Sequence, residues 1–233
     1  MTYVPTWTIE EPIRECDCPN YGKTLQDIES HMPSSHGYRD RDKVTWSHET
    51  THGLHAKLRN KHNVDSALYM LKNNSFLFKD HPKTTLQRVS ELTAYKGGVY
   101  NLYLIDQQSY WNNEPLYVLD EWVSYINGTF TGIDLNLKRG ESLEYALEFN
   151  FYAQALIMAV EQDDSNYSDL DILNNFVNWT IGITFELFNK SFGTNMEKEI
   201  HNKLVLQISN PNKPMSIEPT PGKMCGGALG PIK

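Results

Sequence analysis

A five-residue segment of the chain, His48 to His52, fits the pattern H-E-x-x-H. Residues four apart share one face of an α-helix, so His48 and His52 can both present an imidazole nitrogen to one Zn²⁺ ion at about 2.1 Å. Glu49 is rotated towards the neighbouring side, where its carboxylate can serve as general base for a water molecule on the metal. The pattern therefore predicts a hydrolytic zinc centre; the alternative is a polar surface helix that is rich in histidine by accident.

Zinc centres that catalyse reactions usually have three protein ligands and one open position, so a third ligand must be found. His55 shares the helix face, but it lies seven residues, about 10.5 Å along the axis, from His48, and one ion does not comfortably reach both. A carboxylate on another helix is the best remaining source. We favour Glu121, whose segment is short and largely apolar, because an acidic residue in the core is costly unless it is paired or bound to metal. Glu91 is the other candidate, but its polar neighbours indicate a solvated helix face.

Two tyrosines are candidates for stabilising the oxyanion that forms when water attacks a carbonyl group. Tyr117 and Tyr125 lie four residues either side of Glu121, on its face of the predicted helix. Either hydroxyl can be the donor. The alternative for each tyrosine is a place in an aromatic core, with the hydroxyl touching solvent.

Cys16 and Cys18 precede the H-E-x-x-H segment, and thiolates bind zinc well. This part of the chain can therefore occupy the open metal position as a latency device, although surface thiols explain the pair equally well. The third cysteine, Cys225, lies near the end of the chain. Three cysteines are too few for a disulfide framework, and the odd number leaves at least one thiol free.

Two segments of the chain resemble the zincin superfamily of metallopeptidases. Within it they are similar to the gluzincin-like proteins, in which a Glu on a later helix completes the H-E-x-x-H site. HETTHGLH, from His48 to His55, resembles the active-site helix of these proteins, and DEWVSYING, from Asp120 to Gly128, resembles their glutamate helix.

This resemblance implies a zinc-dependent endopeptidase or related amide hydrolase that acts on a peptide or protein. Its metal ligands would be His48, His52 and Glu121, and Glu49 would be the general base. Two alternatives stay open. One is a non-catalytic module of a larger assembly that keeps a zincin-like fold, and the other is a zinc amidase that acts on a non-protein amide.

Composition excludes several classes of protein. With 39% hydrophobic and 12% aromatic residues, we expect a folded, soluble chain. The 21 Lys and Arg residues against 29 Asp and Glu give a net charge of -8 without a long basic run, which argues against nucleic acid as a partner. No apolar run approaches the roughly 18 residues of a membrane helix, so we expect no membrane insertion. Residues 1–15 lack a signal-peptide pattern, which favours a cytoplasmic chain or one secreted in mature form. The oligomeric state is left open.

The periodicity of apolar residues predicts a mainly helical α+β fold, zincin-like in its arrangement, with the zinc helix, one β-hairpin and a C-terminal helical part. We expect three regions: an irregular N-terminal arm over residues 1–40, a zincin-like metallopeptidase domain over 41–210, and an extended tail rich in Pro and Gly over 211–233.

The zinc helix is expected over residues 43–61, with Asp42 or Thr45 as its start cap. The hairpin is expected over residues 65–79, with Asn73 and Asn74 in the turn. The remaining segments are predicted as helices over 84–95, 115–127 (ended by Gly128), 141–161, 168–190 and 195–208, and as a strand or a helix over 99–110.

Overall fold

Long α-helices make up most of the structure, a computed structural model that describes residues 7–137, 142–190 and 195–209. A small antiparallel sheet completes it, which confirms a mainly helical α+β fold. None of the helices in these ranges is long and apolar enough to cross a membrane. In chain order the elements are β1 (Thr8–Ile9), a 3₁₀ turn (Pro19–Tyr21), α1 (Gly22–Ser30), α2 (Lys43–His62), β2 (Ser66–Tyr69), β3 (Asn74–Phe78), α3 (Leu86–Leu92), a π-helix (Asn101–Asp106), α4 (Gln108–Trp111), α5 (Tyr117–Asp134), α6 (Ser142–Asp163), α7 (Leu170–Lys190) and α8 (Asn195–Ser209).

Helix α2 carries the H-E-x-x-H segment, and its first and last residues are set by local chemistry. Asp42 caps the start, because its carboxylate accepts a 3.0 Å hydrogen bond from the backbone N–H of Val44. The hydroxyl of Thr45 donates to the same carboxylate at 2.8 Å. The helix ends at Asn63, which adopts a left-handed backbone conformation (φ 52°) that Asn tolerates better than most residues. α2 packs against α1, α5 and β2 and therefore runs through the interior.

The predicted hairpin is present, with β2 and β3 paired so that Leu68 lies opposite Phe76. Its turn lies one residue earlier than predicted. Asn74 already belongs to β3, and its side-chain amide donates to the carbonyl of Leu71 at 3.2 Å. β1 pairs with the other edge of β3, giving the sheet order β1-β3-β2. The turn residues with positive φ are Leu71, Lys72 and Asn73.

Helix α1 corrects the expectation of an irregular arm over residues 1–40. It buries Leu25 and Ile28 completely and packs against α2 and α5. At the end of α5, the carboxylate of Asp134 accepts hydrogen bonds from the backbone N–H and the hydroxyl of Thr24, both at 2.7 Å. A nine-residue helix is marginal by itself, so packing of Leu25 and Ile28 against its neighbours supplies most of its stability.

The remaining predicted helices agree with the structure in type and differ mainly at their ends. α6, α7 and α8 lie close to the predicted ranges, and residues 99–110, predicted as a strand or a helix, are mostly helical. α3 is shorter than expected and begins after Thr85, whose hydroxyl caps its first turn. The tail over residues 211–233, with Cys225, lies outside the described residues, as do residues 1–6.

Helix α5 lies at the centre of the core, between α2 on one side and α6 and α7 on the other. Trp122 is fully buried, and its indole N–H donates to the carbonyl of Ala146 in α6 at 2.9 Å. Leu119 and Val123 are also fully buried. The turn of α5 that contains Glu121 is therefore held rigidly by packing on several sides.

Helix α5 continues to Asp134, so the prediction that it ends at Gly128 is wrong. Gly128 lies inside the helix, close to the start of α2. A Cβ atom at this position would lie 3.2 Å from the backbone carbonyl oxygen of Val44 and 3.1 Å from Ser142 Oγ. Glycine at 128 therefore permits the close approach of two helices, a use that the sequence pattern alone does not distinguish from a stop signal.

The close contact at Gly128 predicts that Gly128→Ala lowers the free energy of unfolding by about 1–2 kcal/mol, because a methyl group there pushes against backbone of α2. Gly182→Ala is the matched control: Gly182 is exposed in the middle of α7 with open space around it, so alanine should stabilise the helix by up to about 1 kcal/mol. Urea unfolding of both variants measures the difference. Equal stabilisation by both substitutions would show that α2 and α5 are not in close contact at this point.

Candidate metal centre

The structure brings together the three side chains that sequence analysis predicts as zinc ligands. His48 Nε2 and His52 Nε2, one turn apart on α2, lie 3.0 Å from each other. Glu121 Oε2, from α5, lies 3.5 Å from each of these nitrogens. Ligand atoms of a tetrahedral site with bonds of about 2.1 Å are about 3.4 Å apart, so the three separations suit a single zinc ion.

The Glu121 oxygen that faces the histidines, Oε2, lacks a hydrogen-bond partner in the part of the chain that the structure describes. Glu121 is only 6% exposed, and its Oε2 makes no hydrogen bond with any described residue. A buried carboxylate oxygen without a partner is costly, and a cation at this position would satisfy it. Burial is the largest influence on Glu121 and disfavours its charged form, but the charge of His52 and the close approach of both histidine rings together outweigh it and hold the pKa of this carboxyl well below its usual range. The donor set and its burial therefore fit a divalent metal ion.

Asp120 fixes the orientation of His52 from the opposite side of the ring. His52 Nδ1 donates a short hydrogen bond of 2.5 Å to Asp120 Oδ1, which makes Nε2 the nitrogen that faces Glu121 and that can bind a metal once its proton is lost. Arg59 Nη1 holds the other carboxylate oxygen of Asp120 at 2.9 Å. The hydroxyl of Ser124 lies 3.3 Å from the same His52 nitrogen. The adjacent carboxylates of Asp120 and Glu121 therefore face the two ring nitrogens of His52, Nδ1 and Nε2 respectively.

A second group of possible ligands, His52, His55 and Asp120, lies beside the first. His55 is fully buried, and its Nδ1 is 3.0 Å from Asp120 Oδ1 without meeting the geometry of a hydrogen bond. This group suits a cation less well, because the guanidinium of Arg59 already neutralises Asp120. It also shares His52 with the first group. The first group is therefore the better candidate for a metal position, with Asp120 as a support for His52.

Glu49, the predicted general base, lies beside these ligands on α2. Its side chain is half-buried and makes no hydrogen bond or ion pair within the described ranges, so no neighbouring group occupies its carboxylate. Its charge also acts on two tyrosines. Burial first, and then the charge of Glu49, raise the pKa of Tyr38 to about 12. Burial and the charge of Glu121 are the main causes of the raised pKa of Tyr125, with a smaller contribution from Glu49.

The two predicted oxyanion donors have different partners. The hydroxyl of Tyr117 donates to Glu121 Oε1 at 2.6 Å, so its proton is already used. The ring of Tyr125 packs against the ring of His48 with centroids 4.4 Å apart, and its hydroxyl contacts that of Tyr103 at 2.5 Å. Tyr103 is nearly buried, with Tyr125 as its hydrogen-bond partner. The Tyr103 hydroxyl is therefore best assigned as the donor in this contact, which leaves the hydroxyl proton of Tyr125 available for another acceptor.

The alternative third ligand and the cysteines lie elsewhere. Glu91 is half-exposed and pairs with Arg88 at 3.1 Å, as its polar neighbours indicate. Cys16 and Cys18 are unoxidised, and neither belongs to a possible ligand group among the described residues. Burial and the neighbouring Cys18 raise the pKa of the Cys16 thiol to about 11. The latency device considered from the sequence is therefore not formed in this structure.

Sequence reasoning missed the parts played by Asp120 and Tyr103. Asp120 stands directly before Glu121, and this adjacency is the one signal that could have identified it. Tyr103 belongs to a tyrosine-rich stretch in which no spacing distinguishes one ring from another. Both contacts join residues far apart in the chain, 68 positions for His52 and Asp120 and 22 for Tyr103 and Tyr125.

Because Asp120 orients His52, we expect Asp120→Asn to weaken zinc binding by about 10-fold, through loss of the carboxylate charge with little change in shape. Asp134→Asn is a matched control on the same helix, since Asp134 is also hydrogen-bonded but contacts Thr24 rather than a predicted ligand. Competition titration with a zinc chelator gives both affinities. Wild-type affinity in the Asp120 variant would remove this residue from the support of the centre.

Compared with protein-family models, with curated proteins and with solved structures, the chain shows no match. The resemblance to gluzincin-like proteins therefore depends on the two sequence segments alone.

Proposed function

We propose that the protein is a zinc-dependent metallopeptidase with a gluzincin-like site and a zincin-like fold. The observation that carries this proposal is the meeting of His48 Nε2, His52 Nε2 and Glu121 Oε2 within 3.5 Å of one another. Two of these residues belong to the H-E-x-x-H segment on α2, and the third comes from a later helix, α5. Two imidazoles and one carboxylate are a ligand set that catalytic zinc centres use, with a fourth position left for water.

Zinc bound at this position would lower the pKa of a water molecule towards about 7 and polarise a substrate carbonyl. The chain's own groups supply the remaining chemistry. Glu49 accepts the proton of the attacking water and later delivers it to the leaving amine. The hydroxyl of Tyr125 donates a hydrogen bond to the developing oxyanion, and its contact with Tyr103 orients that hydroxyl. Asp120 keeps His52 in the tautomer that binds metal.

The proposed chemistry specifies that an amide bond is cleaved, but it does not specify which kind of molecule contains that bond. A peptide or protein is our first choice, because the resemblance is to metallopeptidases. A zinc amidase acting on a non-protein amide would use the same side chains. A non-catalytic module of a larger assembly is the remaining alternative, and the free carboxylate of Glu49 beside the ligands argues against it.

We expect Glu49→Gln to keep one zinc ion per chain but to lower turnover by at least about 100-fold, because the amide does not accept the proton of water. Glu161→Gln, at an exposed position near the end of α6, is the control and should keep full activity. Activity is measured against a broad peptide library and, in parallel, against peptidoglycan. Cleavage of peptidoglycan alone would favour the amidase, and a zinc-loaded protein without activity on either would favour the non-catalytic module. Unchanged turnover in Glu49→Gln would refute the general base.

A further inference from the structure

We propose that Tyr117 is a positioning residue that restricts Glu121 to metal coordination through one oxygen, Oε2. This inference rests on the proposed metal site and adds to it the coordination mode of the carboxylate ligand. It also gives Tyr117 a role different from that of an oxyanion donor.

The two oxygens of Glu121 have separate environments. Oε1 accepts the 2.6 Å hydrogen bond from the Tyr117 hydroxyl, whereas Oε2 faces His48 and His52 and has no hydrogen-bond partner among the described residues. A carboxylate whose second oxygen is engaged in a short hydrogen bond is disfavoured as a bidentate ligand, because that oxygen would have to give up its donor to approach the metal. Oε2 is therefore the ligating atom.

The ring of Tyr117 is itself held in place. Trp111, in α4, stacks on it with ring centroids 4.8 Å apart and an angle of 2° between the planes. Tyr103 contacts it from another direction at 6.4 Å between centroids. Tyr117 and Glu121 are four residues apart on α5, so the hydrogen bond joins neighbouring turns of one rigid helix. The hydroxyl is thus presented to Oε1 without freedom to turn towards a substrate.

Substitution with Co²⁺ tests the coordination mode by spectroscopy and needs no substrate. Tyr117→Phe removes the hydroxyl and keeps the ring that stacks on Trp111. We expect the Co²⁺-loaded variant to show weaker visible absorption than the Co²⁺-loaded wild type, because the intensity of these bands falls when a freed Oε1 raises the coordination number. We also expect metal affinity to fall by about 10-fold, as is typical when a group that orients a ligand is lost.

Tyr103→Phe is the matched control, because it also removes a nearly buried hydroxyl near the centre but one that is bonded to Tyr125 and not to Glu121. Its Co²⁺ spectrum and affinity should equal those of the wild type. A wild-type spectrum and affinity in Tyr117→Phe would overturn the inference, and reduced turnover with unchanged metal properties would return Tyr117 to the role of oxyanion donor. Failure of the wild type to bind Co²⁺ or Zn²⁺ would instead overturn the metal site itself.

Discussion

The close packing of α2 against α5 is the interaction on which the candidate centre depends. α2 supplies both imidazoles and Glu49, and α5 supplies Asp120, Glu121 and the two predicted tyrosines. Gly128 allows the helices to approach, and the hydroxyl of Ser47 on α2 donates to the carbonyl of Asn127 on α5 at 3.3 Å. The side chain of Asn127 also donates to Tyr69 O in β2 at 2.9 Å. β2 packs against both helices and α6 packs against α5, which holds the ligands in place.

Burying so many charged groups at one helix contact requires compensation. Asp120 is compensated by His52 and Arg59, and one oxygen of Glu121 by Tyr117. Glu121 Oε2 is the exception, because among the described residues it has only the two histidine nitrogens near it, at distances too long for good hydrogen bonds. An unmade interaction of this kind costs about 1–3 kcal/mol or more for a charged group, which a bound cation would recover. The buried carboxylates of the centre therefore depend on Arg59 and Tyr117, which are not ligands, as well as on the ligands themselves.

The sequence was sufficient for those parts of the protein that depend on local pattern. The cap at Asp42, the hairpin and the long C-terminal helices follow from residue type and periodicity, and their positions agree with the structure to within a few residues. The meeting of Glu121 with the α2 histidines was predictable because a buried acid in an apolar helix needs a partner. The use of Gly128 and the contact of Asp120 with His52 depend on packing between distant segments, which a local pattern does not specify. Tyr117 was placed on the correct helix face, but its hydrogen-bond partner required the structure.

The most direct test is the zinc affinity of Glu121→Ala against that of Glu91→Ala. The first substitution removes the carboxylate that faces His48 and His52, and the second removes a half-exposed carboxylate paired with Arg88. The metal-site assignment predicts about one Zn²⁺ per chain in the wild type and in Glu91→Ala, and binding at least about 10-fold weaker in Glu121→Ala. Full zinc retention in Glu121→Ala together with loss in Glu91→Ala would contradict it and would remove α5 from the metal centre.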